Sequence, residues 1–234
     1  MKIENSVALV TGANRGLGLA FARALLERGA RKVYAAARDP GSVALAGVVP
    51  VRLDVTRPDS IAELAARADD VSLLVNNAGI IKGGGALAEG SLLAAREEIE
   101  TNYLGPLATS QAFAPSLARS GGGAIVNVLS ALSWVTLPRT ATYSASKAAA
   151  WALTNGLRGE LRAQKTQVVG VHVGFVDTDM ARGVDAPKTR PDDVVRRVLD
   201  ALERGDDEVL VDEVSRQVKG GLSSGVYLGE VAGA

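Results

Sequence analysis

The sequence predicts an α/β fold in which a doubly wound parallel sheet of about seven strands is covered by helices on both faces, a three-layer sandwich. Three observations predict it. Short runs rich in Val, Leu, Ile and Ala alternate with stretches of helical periodicity along the chain. A glycine-rich turn stands between the first run and the first helical pattern. The residues with the most chemistry fall just beyond the ends of the runs, where ligands bind in sheets of this kind. No internal repeat or compositional shift divides the chain, so residues 1–234 are expected to form a single domain.

The runs expected to be strands are Val7 to Val10, Lys32 to Ala36, Val48 to Leu53, Val71 to Val75, Ala124 to Leu129, Val168 to Val173 and Glu208 to Val211. They are short and β-branched, and the connections between most of them are long enough for crossover helices. The first helical pattern runs through Leu19, Ala20, Phe21, Ala24, Leu25 and Leu26. Ala108 to Ala118 and Ala148 to Leu161 read as Ala- and Gly-rich helices, and another helix begins near Pro191. Gly83-Gly84-Gly85 and Gly121-Gly122-Gly123 read as loops. The tail from Val214 to Ala234, interrupted by Gly220-Gly221 and Ser223-Ser224-Gly225, fixes no element.

Composition narrows the function classes. With 47% hydrophobic and 22% charged residues the chain can bury a sizeable core. Lys+Arg and Asp+Glu both number 26, so no long-range field draws the protein to nucleic acid or an anionic membrane. There is no cysteine, which excludes disulfides, thiolate metal sites and a cysteine nucleophile, and no metal site is expected. Met1 to Asn5 opens no signal-peptide pattern, and no apolar run approaches the ~20 residues that span a bilayer. A cytoplasmic location is expected.

Tyr143 and Lys147 stand four residues apart in Thr142-Tyr143-Ser144-Ala145-Ser146-Lys147, with Ser130 upstream at the end of the fifth run. On a helix, i and i+4 share a face, so phenol and ammonium can meet one small substrate together. An ammonium beside a phenol favours phenolate, which suits the pair to general acid-base work. An ordinary amphipathic helix would carry such a pair as well. Its weight comes from the glycine turn Thr11-Gly12-Ala13-Asn14-Arg15-Gly16-Leu17-Gly18, which leads a strand into a helix. Such a turn aims backbone N–H groups and the positive helix end at a pyrophosphate. Gly12 would allow the tight turn, Gly16 the close phosphate approach and Gly18 the packing of helix on sheet.

Gly12, Gly16 and Gly18, then Asn76-Asn77-Ala78-Gly79 after the fourth run, Asn102, and finally Ser130, Tyr143 and Lys147 resemble the short-chain dehydrogenase/reductase family in order and spacing, from about Ser6 to Met180. The resemblance implies a Rossmann-type dinucleotide-binding catalytic domain that moves a hydride between a nicotinamide cofactor and a carbonyl or alcohol carbon. In that light Tyr143 would be the general acid, Ser130 would hydrogen-bond the substrate oxygen, and Lys147 would contact the nicotinamide ribose and, with the oxidised cofactor's positive ring, favour ionised Tyr143. Asn102 would hold a water linking Lys147 to solvent. The cofactor would lie on Gly12, Asn14, Arg15, Gly16, Leu17 and Gly18, with Asp54 and Val55 flanking the adenine. Asn77, Ala78 and Gly79 would line the inner ribose, and in the loop that Gly174 opens Val176 would place backbone groups on the nicotinamide carboxamide and Thr178 would reach the pyrophosphate.

Charge argues for NADP(H) over NAD(H). Ala37 stands where an acid closing the second strand would hold the ribose hydroxyls of NAD, and Arg38 and Arg15 offer guanidiniums to a 2′-phosphate. Leu132, Trp134, Val135 and Leu137 are expected to wall a pocket for an apolar or aromatic carbonyl or alcohol, whereas Trp151 reads as packing. The loop after the sixth run keeps Gly174 but lacks the family's usual proline, which leaves its approach angle open, and His172 reads as a strand residue. Small-residue helix faces suggest a homo-oligomer, a dimer or tetramer. A nucleotide-binding regulator and an epimerase or lyase with retained NAD are the alternatives in other classes.

Overall fold

The computed structural model describes residues 1–229. Seven parallel strands form one sheet in the order β3-β2-β1-β4-β5-β6-β7. They are β1 Val7–Thr11, β2 Lys32–Ala37, β3 Val49–Arg52, β4 Leu73–Asn76, β5 Ala124–Val128, β6 Gln167–His172 and β7 Glu208–Leu210. Each expected run holds a strand, and the ends differ by a residue or two.

Alternation along β1 shows how the sheet divides its core. Ala8 and Val10 pack with Phe21 and Leu25 of α1 (Gly16–Glu27) and with Val198 and Leu202 of α6 (Pro191–Arg204). Val7 and Leu9 point the other way, to Leu64 of α2 (Pro58–Arg67), Phe113 of α4 (Gly105–Arg119) and Leu157 of α5 (Ala141–Glu160). A period of two on a sheet buried on both faces therefore builds two apolar layers from one strand. Between α2 and α4 lies α3, Ser91–Ile99, which runs into α4 through a π-helical turn, Glu100–Leu104.

The strand order reverses between β1 and β4, which opens a crevice beyond their C-terminal ends. The glycine turn leaves β1 there, and Asn77 to Gly79 leave β4 beside it. Past β7 the chain forms α7, Glu213–Gly221, and two short 3₁₀ turns ending at Leu228. Asp212 caps α7 by accepting from Ser215 N at 2.9 Å. The part of the tail that the sequence left open is thus helical as far as the description goes, and residues 230–234 lie outside it. No helix among the described residues is long and apolar enough to cross a membrane.

Candidate active site

Ser130 ends the extended chain of β5 and caps a 3₁₀ turn, Ala131–Ser133. Leu132 N–H donates to Ser130 Oγ at 3.1 Å, and Ser133 Oγ accepts from Ser130 N at 3.3 Å. With its oxygen taken by a backbone donor, the hydroxyl is left to give its own proton outward.

Tyr143 and Lys147 lie one turn apart on α5 and are both buried. Burial pushes the Tyr143 phenol up to about 12, with Ser130's hydrogen bond pulling against it and the carboxylate of Glu98 adding to the rise. Burial also lowers Lys147 to about 8. Lys147 Nζ donates to Val128 O at 2.9 Å and stands 5.8 Å from the Tyr143 ring centroid. Desolvation thus opposes the phenolate that a neighbouring ammonium favours.

Asn102 sits in the π-helical turn. Its Nδ2 donates to Ile80 O and to Ser146 Oγ, both at 2.9 Å, and Oδ1 accepts from Ile80 N at 2.9 Å. The amide thus stitches the loop after β4 to α5, and both its N–H groups are occupied. A Cβ on Gly79 would lie 3.2 Å from Asn102 Oδ1, a tight contact, and 3.6 Å from Lys147 Nζ, an ordinary one, so the loop passes close to both.

The glycine turn has the shape its sequence implies. Gly12 and Gly16 have φ of +66° and +54°, and a Cβ on Gly18 would meet Gly12 O at 2.2 Å. No side chain caps the first turn of α1 and no acid stands in it, so its leading N–H groups and positive dipole end are open to an anion. Across the crevice, a Cβ on Gly16 would touch the Thr178 methyl at 3.3 Å. These residues fit a dinucleotide pyrophosphate.

The family profile described as short chain dehydrogenase matches residues 6–189. A short-chain dehydrogenase from Burkholderia cenocepacia, solved in complex with NADP, is 47% identical, with a TM-score of 0.92 over 96% of this chain and 95% of that one. A short-chain dehydrogenase/reductase from Burkholderia phymatum, solved with NAD, is 26% identical, with a TM-score of 0.85 over 94% and 93%. Cis-4-hydroxycyclohexanecarboxylate dehydrogenase of Sinomonas cyclohexanicum is 37% identical over 195 residues, 77% of each protein. The chain belongs to the short-chain dehydrogenase/reductase family. It is an oxidoreductase with a Rossmann-like sheet.

Within this short-chain dehydrogenase/reductase frame some expected residues take different places. Arg15 bridges the crevice to Asp179 at 2.8 Å, whereas Arg38 is exposed and makes no ion pair among the described residues. Asp39, next to it, accepts from Gly41 N at 3.0 Å and caps the next turn. Asp54 Oδ1 accepts from Thr56 N at 3.0 Å and Thr56 Oγ1 at 2.7 Å. Burial pushes this carboxyl up, but the Thr56 bonds and the charge of Arg38 hold it below the usual range. Val55 fills the space beside Gly105, where a Cβ would sit 3.1 Å away. Trp134 stacks flat on His172 and meets Trp151 edge to face, so one face of its ring is packed rather than offered to substrate.

Three contributors escaped sequence reasoning. Thr11 Oγ1 accepts from Asn77 N at 3.0 Å and Ala78 N at 2.9 Å, while Asn77 Nδ2 donates to Thr11 O at 2.9 Å. These bonds tie the glycine turn to the loop after β4. Asp212 accepts from Gly174 N at 2.7 Å and so anchors the loop that lacks proline. Glu98 is fully buried, with Oε1 accepting from Lys82 N at 2.7 Å and Oε2 without a partner. Only Glu98 left a trace in the sequence, as one acid of a Glu-rich helix end four residues before Asn102.

Proposed function

We propose that this chain is an NADP(H)-dependent oxidoreductase that interconverts a ketone or aldehyde and its alcohol, with Tyr143 as general acid/base. The observation that carries the reading is the buried Tyr143 phenol beside a Ser130 hydroxyl that accepts from Leu132 N and keeps its own proton to donate. Both groups are donors, and donors converging on one point suit an oxygen that gains negative charge.

The cofactor would rest on Gly12 and Asn14 to Gly18, beside Asn77, Ala78, Gly79, Gly174, Val176 and Thr178, with Asp54 and Val55 at the adenine end. A bound NADPH would supply the hydride that the carbonyl carbon takes up. Tyr143 gives its proton to the carbonyl oxygen while Ser130 Oγ donates to the same atom. Lys147 contacts the nicotinamide ribose, and Asn102 Oδ1, which keeps a free lone pair beside Gly79, accepts from a water that leads the proton back from solvent. NADP(H) is favoured over NAD(H) by Arg38 without a carboxylate partner and Ala37 in place of an acid. The NADP complex of the Burkholderia cenocepacia relative agrees with that preference.

Leu132 and Leu137, both half-buried beyond Ser130, favour an apolar or aromatic substrate. A homo-oligomer, dimer or tetramer, is favoured by open helix surface at Gly156 and Gly159 of α5. Absorbance at the reduced nicotinamide band, with NADPH and a panel of alicyclic and aromatic ketones, tests the proposal. It expects NADPH loss matched by alcohol formed. No turnover across the panel would favour a regulator, and a retained cofactor without net consumption an epimerase.

A further inference from the structure

His172, the sole histidine, closes β6 and is completely buried, yet it has no part in the proton path above. Its neighbours Val171 and Val173 serve the other apolar layer, while a Cβ on Gly170, two residues before it on the strand, would meet Thr154 of α5 at 3.5 Å and His172 Nε2 at 3.8 Å.

The ring grips the Ser130 turn at both ends. Its Nδ1 is 3.1 Å from Ser130 O, and since a carbonyl only accepts, Nδ1 carries the proton. The ring face lies on Trp134, which directly follows the 3₁₀ turn, with centroids 3.7 Å apart and planes at 17°. Between these two points stand Leu132 N and Ser133 Oγ, the groups that aim the Ser130 side chain.

The imidazole is itself braced from outside. Nε2 faces Glu208 Oε1 of β7 at 3.5 Å, longer than a hydrogen bond and an ion pair when the ring holds a second proton. The other Glu208 oxygen pairs with Lys219 of α7, whose Nζ lies 5.0 Å from the Trp134 ring centroid. The Glu208 carboxyl is held down to about 2 against burial, by His172 when its ring carries both protons and by Lys219.

We propose that His172 is a positioning residue of the active site: it locks the Ser130–Trp134 turn through Nδ1 and the Trp134 stack, keeps Ser130 Oγ aimed alongside Tyr143, and is held in turn by Glu208 and Lys219. The inference rests on the reading of Ser130 as a donor to the substrate oxygen. His172→Phe keeps a flat ring against Trp134 and deletes the bond to Ser130 O. His172→Asn restores an N–H close to the position of Nδ1.

Steady-state kinetics with NADPH and a ketone turned over by the parent enzyme test the inference. His172→Phe is expected to lower kcat by about tenfold, with both KM values within about twofold, because small misplacements of a catalytic group cost that much or more. His172→Asn is expected to regain most of the loss. In a Ser130→Ala background, itself down at least about a hundredfold, His172→Phe should cost nothing further. Full additivity of the two changes, an unaltered kcat in His172→Phe, or failure of the asparagine to rescue would overturn the inference. Near-normal turnover of Ser130→Ala would instead overturn the role given to Ser130. If His172→Phe does not fold, Glu208→Gln serves in its place: a kcat loss of about threefold that vanishes in the Ser130→Ala background supports the inference, and no loss overturns it.

Discussion

The ammonium of Lys147 donates to the main-chain carbonyl of Val128 at 2.9 Å, so the lysine of α5 is tied to the strand that delivers Ser130. One bond thus sets the distance between helix and strand on which the whole trio depends. It also points the charge at a carbonyl rather than at Tyr143. Lowering the phenol then requires further positive charge at the site, which the oxidised nicotinamide ring would supply.

Burial of Lys147 should show in stability. Its pKa is about 8 in the fold against an ordinary 10.5, so between those values the unfolded chain binds the extra proton. Stability from this group therefore rises with pH from about 8 to 10.5 and is lost as pH falls through 8. Urea unfolding of the cofactor-free protein at pH 8, 9 and 10 should show this rise in the parent relative to Lys147→Met. Parallel curves for the two proteins would count against the buried ammonium.

Glu98→Gln keeps the bond to Lys82 N and removes a charge that raises Tyr143. Burial, the larger cause, remains. The Tyr143 pKa should fall, and the rising limb of alcohol oxidation should move to lower pH. The pH–rate profile of parent and variant checks this, and an unmoved limb would show that the Glu98 charge does not reach the phenol.

Gly18→Ala should be far worse than Gly16→Ala. The first places Cβ at 2.2 Å from a backbone oxygen, which cannot yield cheaply, whereas the second meets only the Thr178 methyl at 3.3 Å, besides the strain of its positive φ. A loss of about 3 kcal/mol or more in Gly18→Ala, with NADPH binding abolished, is expected from overpacking at a fixed backbone. Gly16→Ala should fold and bind more weakly. Calorimetric melting and cofactor titration separate the two, and equal behaviour would contradict the cradle geometry.

Cofactor choice should follow Ala37 and Arg38. The double variant Ala37→Asp, Arg38→Ala removes a phosphate partner and supplies a ribose acceptor, so the kcat/KM ratio should move from NADPH toward NADH by at least about tenfold, or 1.4 kcal/mol. A parent that prefers NADH, or a ratio that does not move, would defeat the assignment.

The sheet was legible because its signals are local. Runs of β-branched residues separated by helical stretches dictate parallel strands, and each expected run, from Val7 to Val211, contains one. Ser130, Tyr143, Lys147 and the glycine turn stand out in the sequence as spaced motifs. Thr11, Asp212 and the grip of His172 on Ser130 were not, because each joins a side chain to backbone between 38 and 67 residues away and leaves no periodic trace. The stack of Trp134 on His172 of the neighbouring strand is likewise absent from the sequence, where only its closeness to Ser130 shows. α7 was hidden by Gly220-Gly221 and the serines beyond them, although Asp212 offers a good helix cap.

The most direct test of the account is single-turnover reduction by Tyr143→Phe with NADPH and a ketone that the parent enzyme reduces. The variant keeps the ring in its buried place and loses only the proton. Turnover should fall by at least about a hundredfold, with NADPH affinity within about twofold of the parent. Reduction at a near-parental rate would contradict the assignment of Tyr143 as the acid.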